Sequence, residues 1–144
     1  MYTYVHTYML WNLPKDGFFE ILEQLSPPID HEVLWRISGG NPRLIAELAN
    51  LRWALDKLVE MYRDRVHRLL TMYRVPLDIA RKLARDPDAD PERALRLEEI
   101  GLMIQLMRRA VLGTEVKEDP ELGIGKVWAW QIPLYKDIVL GIEV

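Results

Sequence analysis

The stretch WRISGGNPRLI, residues 35–45, decides the fold because it ends one helix and begins another at a single corner. Its adjacent glycines, Gly39 and Gly40, tolerate the left-handed backbone that terminates a helix. Asn41 is a good N-cap, and Pro42 occupies the first helical position, where an amide N–H would lack an intrahelical partner in any case. The sequence therefore predicts two helices that meet at a sharp turn.

Helical periodicity extends from this corner in both directions, with apolar residues at spacings of three and four. Asp30 is predicted to cap the helix before the corner, and Asp90 followed by Pro91 repeats the same kind of start later in the chain. A polar turn is expected at residues 86–90. The predicted helices cover residues 18–25, 30–38, 42–55, 56–70, 76–85 and 91–100.

The first residues favour a strand, because residues 4–13 are rich in tyrosine, threonine and apolar side chains and end at Pro14. A lone strand has unpaired edges, so it needs a sheet from a second copy or from a part of the protein outside this sequence. A homodimer through residues 2–13 is therefore a candidate assembly. Alternate residues of the segment form one face, which could stack on a base or pack in the missing sheet, and sheet pairing is preferred. These residues are Tyr2, Tyr4, His6 and Tyr8.

The last part of the chain also favours strands. Residues 102–112 and 126–133 predict a hairpin with a long tip at residues 113–125, and a single helix over residues 98–112 is the alternative. Residues 135–144 are expected to form a final helix or strand. The expected fold class is therefore mainly α with a small β component.

The order of elements from residue 56 onward, three helices and a hairpin, is that of a winged helix, with residues 92–100 in the position of the recognition helix. Trp128 and Trp130 lie on the same side of the second hairpin strand. Core burial is the preferred interpretation of this pair, and an exposed partner-binding surface is the alternative.

The composition is that of an ordinary globular chain without disulfides. The 144 residues include 49% hydrophobic side chains and no cysteine, and they carry a net charge of −3. Thiolate nucleophiles and cysteine metal clusters are excluded, and no apolar run is long enough for a membrane span. The expected location is cytoplasmic, and the abundance of arginine is a weak indication of a hot environment.

Metal and nucleophilic chemistry have little support in the sequence. The histidines are far apart, and neither serine lies in a nucleophile elbow. The aspartates at 86, 88 and 90 lack the glycine and glutamate of a calcium loop, so a turn between helices is preferred. We expect no catalytic and no metal-binding residue here. The residues considered are His6, His31, His67, Ser26 and Ser38.

The corner at residues 35–45 resembles the lid motif of archaeal ATPases in the STAND branch of the AAA+ superfamily, in which a Gly-Gly-Asn-Pro turn begins a helix that faces the bound nucleotide. Residues 8–14 look like the last strand of the ATPase core, and residues 16–25 look like the next helix. A winged helix usually follows the lid in that family. The resemblance implies a core strand and helical lid over residues 1–55, and a winged-helix domain with a β-hairpin wing over residues 56–144.

The resemblance also implies a nucleotide-sensing site at Gly39, Gly40, Asn41, Pro42 and Arg43. Pro42 would touch the nucleotide, and Arg43 would reach toward its terminal phosphate. The amino end of a helix has unpaired amides and a positive dipole, which suit a nearby phosphate. A simpler interpretation stays open, in which the glycines stop one helix, Asn41 and Pro42 start the next, and Arg43 is solvated.

Nucleotide hydrolysis by this chain alone is not expected. The sequence has no Gly-x-x-x-x-Gly-Lys-Ser/Thr loop and no strand ending in paired acids that could hold magnesium. ATP or ADP and magnesium would be held by an ATPase core, in cis or in trans. The chain is thus predicted to be a non-catalytic regulatory region, in which a nucleotide-sensing lid is coupled to a winged helix.

Duplex DNA is the alternative partner, because winged helices often place a helix in the major groove. Residues 57–112 contain 12 Lys and Arg against 9 Asp and Glu, a net charge of +3, whereas both flanking segments are acidic. Arg93 and Arg96 are the candidate groove contacts. The candidate phosphate contacts on the preceding helix are Arg81, Lys82 and Arg85.

Two further considerations bear on this alternative. The predicted wing tip is acidic and would repel DNA phosphates. A third hypothesis, a purely structural interaction domain, would be distinguished by an exposed face containing Trp128 and Trp130. The acidic residues of the tip are Glu115, Glu118, Asp119 and Glu121.

Overall fold

The computed structural model describes residues 11–106 and 116–144, and this part of the chain is mainly helical with one small two-stranded sheet. The predicted fold class is confirmed. None of the described helices is both long and apolar enough to cross a membrane. The elements are α1 (Lys15–Leu25), α2 (His31–Ser38), α3 (Pro42–Asn50), α4 (Leu55–Met72), α5 (Leu77–Arg85), α6 (Pro91–Glu99), β1 (Met103–Gln105), β2 (Trp128–Trp130) and α7 (Pro133–Leu140).

The predicted helix starts are confirmed by side-chain caps. The Asp30 carboxylate accepts hydrogen bonds from the backbone N–H groups two and three residues later, at 2.8 and 3.3 Å. The Asn41 side-chain oxygen does the same at 2.9 and 3.3 Å, and Asp90 accepts one such bond at 3.3 Å. Caps of this kind are each worth about 1 kcal/mol. Short-range chemistry therefore sets these boundaries.

The third helix is shorter than predicted, since α3 ends at Asn50 and does not continue to residue 55. Arg52 and Trp53 have positive φ angles of 56° and 63°, and the Trp53 N–H donates to the Leu48 carbonyl at 2.9 Å. Leu51 and Leu55 still pack against the core from this turn. The apolar spacing therefore continues through a break that periodicity alone does not reveal.

The predicted hairpin is confirmed and the alternative of one helix over residues 98–112 is wrong. Strand β1 pairs antiparallel with β2, with Met103 opposite Trp130. Gly101 ends the preceding helix region with a φ of +84°. Strand β2 is shorter than its predicted segment of residues 126–133, and a 3₁₀ turn (Pro120–Leu122) occupies part of the predicted tip. Residues 107–115 of that prediction lie outside the described residues.

Hydrogen bonds to Asp88 connect the hairpin to the turn between α5 and α6. Its carboxylate accepts hydrogen bonds from three successive backbone N–H groups, those of Lys126, Val127 and Trp128, at 2.7, 3.0 and 2.8 Å. Partial burial opposes ionisation of this carboxyl, but the three donors outweigh burial and lower its pKa below the ordinary value. The turn predicted at residues 86–90 is thus confirmed, and it also holds the sheet in position.

Helix α7 lies at the centre of the molecule and packs against α2, α4 and α5. Leu134 is fully buried, and the indole N–H of Trp130 donates to the Leu83 carbonyl at 3.0 Å beneath the sheet. The predicted core positions of Trp128 and Trp130 are confirmed, at 5% and 0% exposure. One hydrophobic cluster joins residues on both sides of the predicted boundary at residue 55, so the two segments share a core.

Candidate functional site

The amino end of α3 lies at the surface, but its residues differ in exposure. Gly39 and Gly40 are buried, and Asn41 is half-buried. Pro42 is exposed, and the side chain of Arg43 is 88% exposed. Of the five residues implied by the resemblance, Pro42 and Arg43 are therefore the most accessible to an external ligand.

The two glycines are required for close packing. A Cβ atom on Gly40, whose φ is +89°, would lie 2.1 Å from the carbonyl oxygen of Leu13. The Leu13 N–H also donates to the Gly40 carbonyl at 2.9 Å. A Cβ atom on Gly39 would lie 2.9 Å from Cδ of Pro133 at the start of α7. The corner between α2 and α3 therefore packs closely against Leu13 and against the start of α7.

The backbone amides at this helix end are already paired. Asn41 accepts from the N–H groups of Arg43 and Leu44, and Pro42 has no N–H to offer. The Gly40 N–H donates to the hydroxyl of Ser38 at 3.2 Å. The charge that this corner presents to a ligand is therefore the Arg43 guanidinium, supported by the positive end of the helix dipole.

A shallow depression of about 290 Å³ opens beside Arg43, and we call it the α3 depression. It combines positive charge with aromatic rings. A guanidinium can bond a phosphate in two places, and the partly exposed ring of Tyr135 can contact a base, whereas the ring of Tyr62 is buried. The lining residues are Asn41, Arg43, Leu44, Glu47, Tyr62, Arg65, Gln131, Ile132 and Tyr135.

Glu47 connects Arg43 to the interior of the protein. Its carboxylate is 4.0 Å from the Arg43 guanidinium and also accepts a hydrogen bond from the Tyr62 hydroxyl. Burial first, and then this hydrogen bond, raises the pKa of Tyr62 above its ordinary value, so the phenol stays protonated. The ring of Tyr62 stacks on Tyr135 of α7 with 5.9 Å between centroids, and the Arg65 guanidinium lies 4.7 Å from the centroid of Tyr62. Three helices therefore meet in one polar and aromatic network.

The candidate DNA-contacting residues separate into two groups. The Arg81 side chain donates to the Val139 carbonyl of α7 at 3.1 Å, so one of its donors is used within the fold. Lys82 and Arg85 are exposed on α5. Arg93 and Arg96 lie together at a second depression of about 280 Å³, which we call the arginine depression. Its lining residues are Arg74, Val75, Glu92, Arg93 and Arg96.

Several important residues escaped sequence analysis. Arg74 lies in the turn before Pro76 and has a φ of +53°, and no local pattern connects it to α6. Helical periodicity indicates only which side of a helix is buried, and this is all that the sequence reports about Tyr62, Arg65 and Tyr135. Their convergence depends on how α4 and α7 pack, which a single sequence does not report.

The remaining predicted features have structural roles or lie outside the described residues. The hydroxyl of Ser38 is buried and donates to the Leu34 carbonyl at 2.6 Å. Within residues 11–106 and 116–144, no three or more His, Cys, Asp or Glu side chains are grouped to hold a metal ion. Of residues 2–13, only 11–13 are described, and they form no strand. The face of Trp128 and Trp130 expected of an interaction domain is buried.

Comparisons with protein-family models, with curated proteins and with solved structures found no match to this chain.

Proposed function

We propose that this chain is a non-catalytic regulatory region of an archaeal P-loop ATPase of the STAND branch, with a nucleotide-sensing lid coupled to a winged helix. The observation that carries the proposal is the 88% exposed Arg43 side chain at the surface-facing amino end of α3. An ATPase core, in cis or in trans, would hold ATP or ADP with magnesium against this end. The resemblance of residues 35–45 to the lid motif supports the same assignment.

Recognition at this site rests mainly on one charge. The capped amides leave Arg43 and the helix dipole to attract a terminal phosphate, while exposed Pro42 offers an apolar surface to the nucleotide. A single guanidinium gives little affinity by itself, since even a dissociation constant of 1 mM requires about 4 kcal/mol. The core must therefore supply most of the binding energy, and the lid reports which nucleotide is present.

Glu47 offers a route from the nucleotide to the rest of the region. It lies between Arg43, which is held weakly at 4.0 Å, and Tyr62, which is held by a hydrogen bond. A phosphate that draws Arg43 outward competes with Glu47 for the guanidinium and changes the charge next to Tyr62. Because Tyr62 stacks on Tyr135, the change reaches both α4 and α7. A two-state shift of α3 against these helices is the proposed signal.

The test is an Arg43→Gln substitution in the ATPase that carries or recruits this region. We expect ATP affinity or turnover to fall at least about fivefold, which corresponds to the loss of about 1 kcal/mol from one charge-assisted hydrogen bond. Lys57→Gln, which removes an exposed charge of the same sign from the first turn of α4, is the matched control. Unchanged ATP binding and turnover in the Arg43 variant would refute the proposal.

A second measurement uses the chain alone and locates the contact. Titration of the isotopically labelled chain with magnesium ATP is expected to shift the amide signals of Arg43 and Leu44 at millimolar concentration, and to shift them less in Arg43→Gln. The ring signals of Tyr62 should follow if Glu47 transmits the change. Shifts of equal size in the variant would place the nucleotide somewhere else.

A further inference from the structure

The arginine depression is lined by three arginines and by one carboxylate, that of Glu92. Arg93 and Arg96 extend from α6, and Arg74 reaches the same space from the turn after α4. Within residues 11–106 and 116–144, none of these three guanidinium groups has a carboxylate oxygen within 4.0 Å. Three guanidiniums against one carboxylate give the lining a net positive charge, which favours an anionic occupant.

Backbone hydrogen bonds hold the side chain of Arg96 and the turn that carries Arg74. One guanidinium nitrogen of Arg96 donates to the Tyr73 carbonyl at 3.0 Å, which orients the rest of the group toward the depression. The turn that carries Arg74 is closed by its N–H bond to the Thr71 carbonyl at 3.2 Å and by the bond from Val75 to Leu70 at 2.9 Å. The bond to Tyr73 reduces the entropy that the Arg96 side chain loses when it binds a ligand.

We infer that the arginine depression is a docking site for the phosphate groups of a nucleic acid duplex backbone. Phosphodiester oxygens are strong acceptors for guanidinium donors, and successive phosphates can reach several arginines at once. The depression is open and Val75 is its one apolar lining residue, so it lacks the buried apolar anchor that typically dominates a protein interface. The positive segment of the chain, residues 57–112, contains all three arginines.

The contact is to the backbone and not to base edges. Glu92 lines the same depression, and Glu99 is exposed on the same helix, so carboxylates flank the arginines. These carboxylates reduce the net positive charge that attracts phosphate without cancelling it, and they also oppose the acceptor groups of guanine. Arg96 already donates one hydrogen bond to the Tyr73 carbonyl, which limits bidentate hydrogen bonding to a base edge. Arg93 and Arg96 therefore position the duplex, with little preference for sequence.

Fluorescence anisotropy with a labelled duplex of mixed sequence tests the inference. We expect binding in about the micromolar range at 50 mM salt, weakening steeply as salt increases. Arg93→Gln and Arg74→Asn should each weaken binding about three- to tenfold and reduce the salt slope by about 0.9. Asparagine is chosen at position 74 because it tolerates the positive φ. Circular dichroism confirms that each variant is folded.

A substitution that is expected to strengthen duplex binding makes the test more specific. Glu92→Gln removes the carboxylate from the depression, and we expect it to tighten duplex binding about two- to threefold. Arg63→Gln, at an exposed site in the middle of α4, is the charge-matched control and should change affinity less than the Arg93 and Arg74 variants. Arg43→Gln should leave duplex affinity unchanged, so this result is separable from the outcome of the nucleotide experiment.

Three results would overturn the inference. The first is no duplex binding at 50 mM salt with 100 μM protein. The second is an equal loss of affinity in the Arg63, Arg74 and Arg93 variants, which indicates general charge attraction without a site. The third is displacement of the duplex by an acidic or phosphorylated peptide that binds more tightly. That partner would use exposed Met72 and Tyr73 as apolar contacts beside the arginines.

Discussion

The α3 depression and the arginine depression are almost equal in size, about 290 and 280 Å³, but their arginines are held differently. Arg43 lies 4.0 Å from Glu47, and Arg65 lies over the ring of Tyr62. At the arginine depression, Arg96 bonds only a backbone carbonyl, and no carboxylate lies within ion-pair distance in the described residues. The first arrangement links a surface charge to the core and suits a response to a ligand, whereas the second presents three arginines against one carboxylate and suits the docking of an anion.

The packing near the two depressions also differs. The largest expected effect compares a glycine substitution at Gly40, near the α3 depression, with one at Gly101, near the arginine depression. Gly40 has a φ of +89°, and an added Cβ would meet the Leu13 carbonyl oxygen at 2.1 Å. We expect Gly40→Ala to lower the free energy of unfolding by about 3–5 kcal/mol, since strain and a backbone clash combine. Urea unfolding followed by circular dichroism measures the change.

Gly101 is the matched control, because its φ of +84° is similar but no atom lies within 4 Å of an added Cβ. Gly101→Ala should therefore cost only the left-handed strain, about 1 kcal/mol. Gly101 follows α6, which contributes lining residues to the arginine depression, whereas Gly40 precedes Asn41, which lines the α3 depression. Equal losses in the two variants would mean that the corner at Gly40 is not tightly packed.

The second largest effect is expected at Asp88, which holds the hairpin beside α6. Asp88→Ala leaves three backbone N–H groups without their acceptor, and that of Trp128 is partly buried. We expect a loss of about 2–3 kcal/mol in the free energy of unfolding. Asp88→Asn keeps one side-chain acceptor and should lose less. Similar stability of the Ala variant and the parent would show that water replaces the carboxylate without cost.

The Asp88 contribution should depend on pH. Because its pKa is lower in the folded protein than in the unfolded chain, its stabilisation is fully present above the unfolded value of about 3.9 and is lost as pH falls through the folded pKa. The stability difference between the parent and Asp88→Asn should be constant from about pH 7 to 5 and should shrink below about pH 4. Acid titration of both proteins by circular dichroism checks this, and a difference that grows in acid contradicts it.

Local chemistry explains what could be predicted from the sequence. The caps at Asp30, Asn41 and Asp90 act over two or three residues, so the sequence contains both partners of each hydrogen bond. The corner at Gly39 and Gly40 was predicted for the same reason. The hairpin was predicted because its strand residues are distinct in type and Gly101 interrupts the helical pattern.

Long-range packing explains what could not be predicted. The end of α3 was missed because Leu51 keeps its apolar position after the helix has stopped. The close approach of Leu13 to Gly40, and of Arg74 to α6, depends on elements that are distant in the chain. The predicted site at residues 39–43 contained Arg43, but the aromatic pair of Tyr62 and Tyr135 that lies beside it has no local signal.

A smaller effect is expected when the hydrogen bond between Tyr62 and Glu47, which connects the α3 depression to the core, is removed. Tyr62→Phe removes the hydroxyl that donates to Glu47 but keeps the ring that stacks on Tyr135. We expect a loss of about 1.5 kcal/mol in the free energy of unfolding, because a hydrogen bond to a charged acceptor disappears while packing is retained. Tyr73→Phe, at an exposed position beside the arginine depression, is the control and should be neutral. An equal change in both variants would show that the hydrogen bond from Tyr62 to Glu47 does not stabilise the fold.

The smallest effect should occur at Arg43, and its small size distinguishes a ligand contact from a structural one. The guanidinium is 88% exposed, and its carboxylate neighbour lies at the 4.0 Å limit of an ion pair. Solvent screens such a pair, so Arg43→Gln should change the free energy of unfolding by less than about 0.5 kcal/mol. A loss well above this value in urea unfolding would show that Arg43 stabilises the fold through Glu47. The residue would then be poorly suited to moving with a nucleotide, because each outward displacement would cost the protein stability.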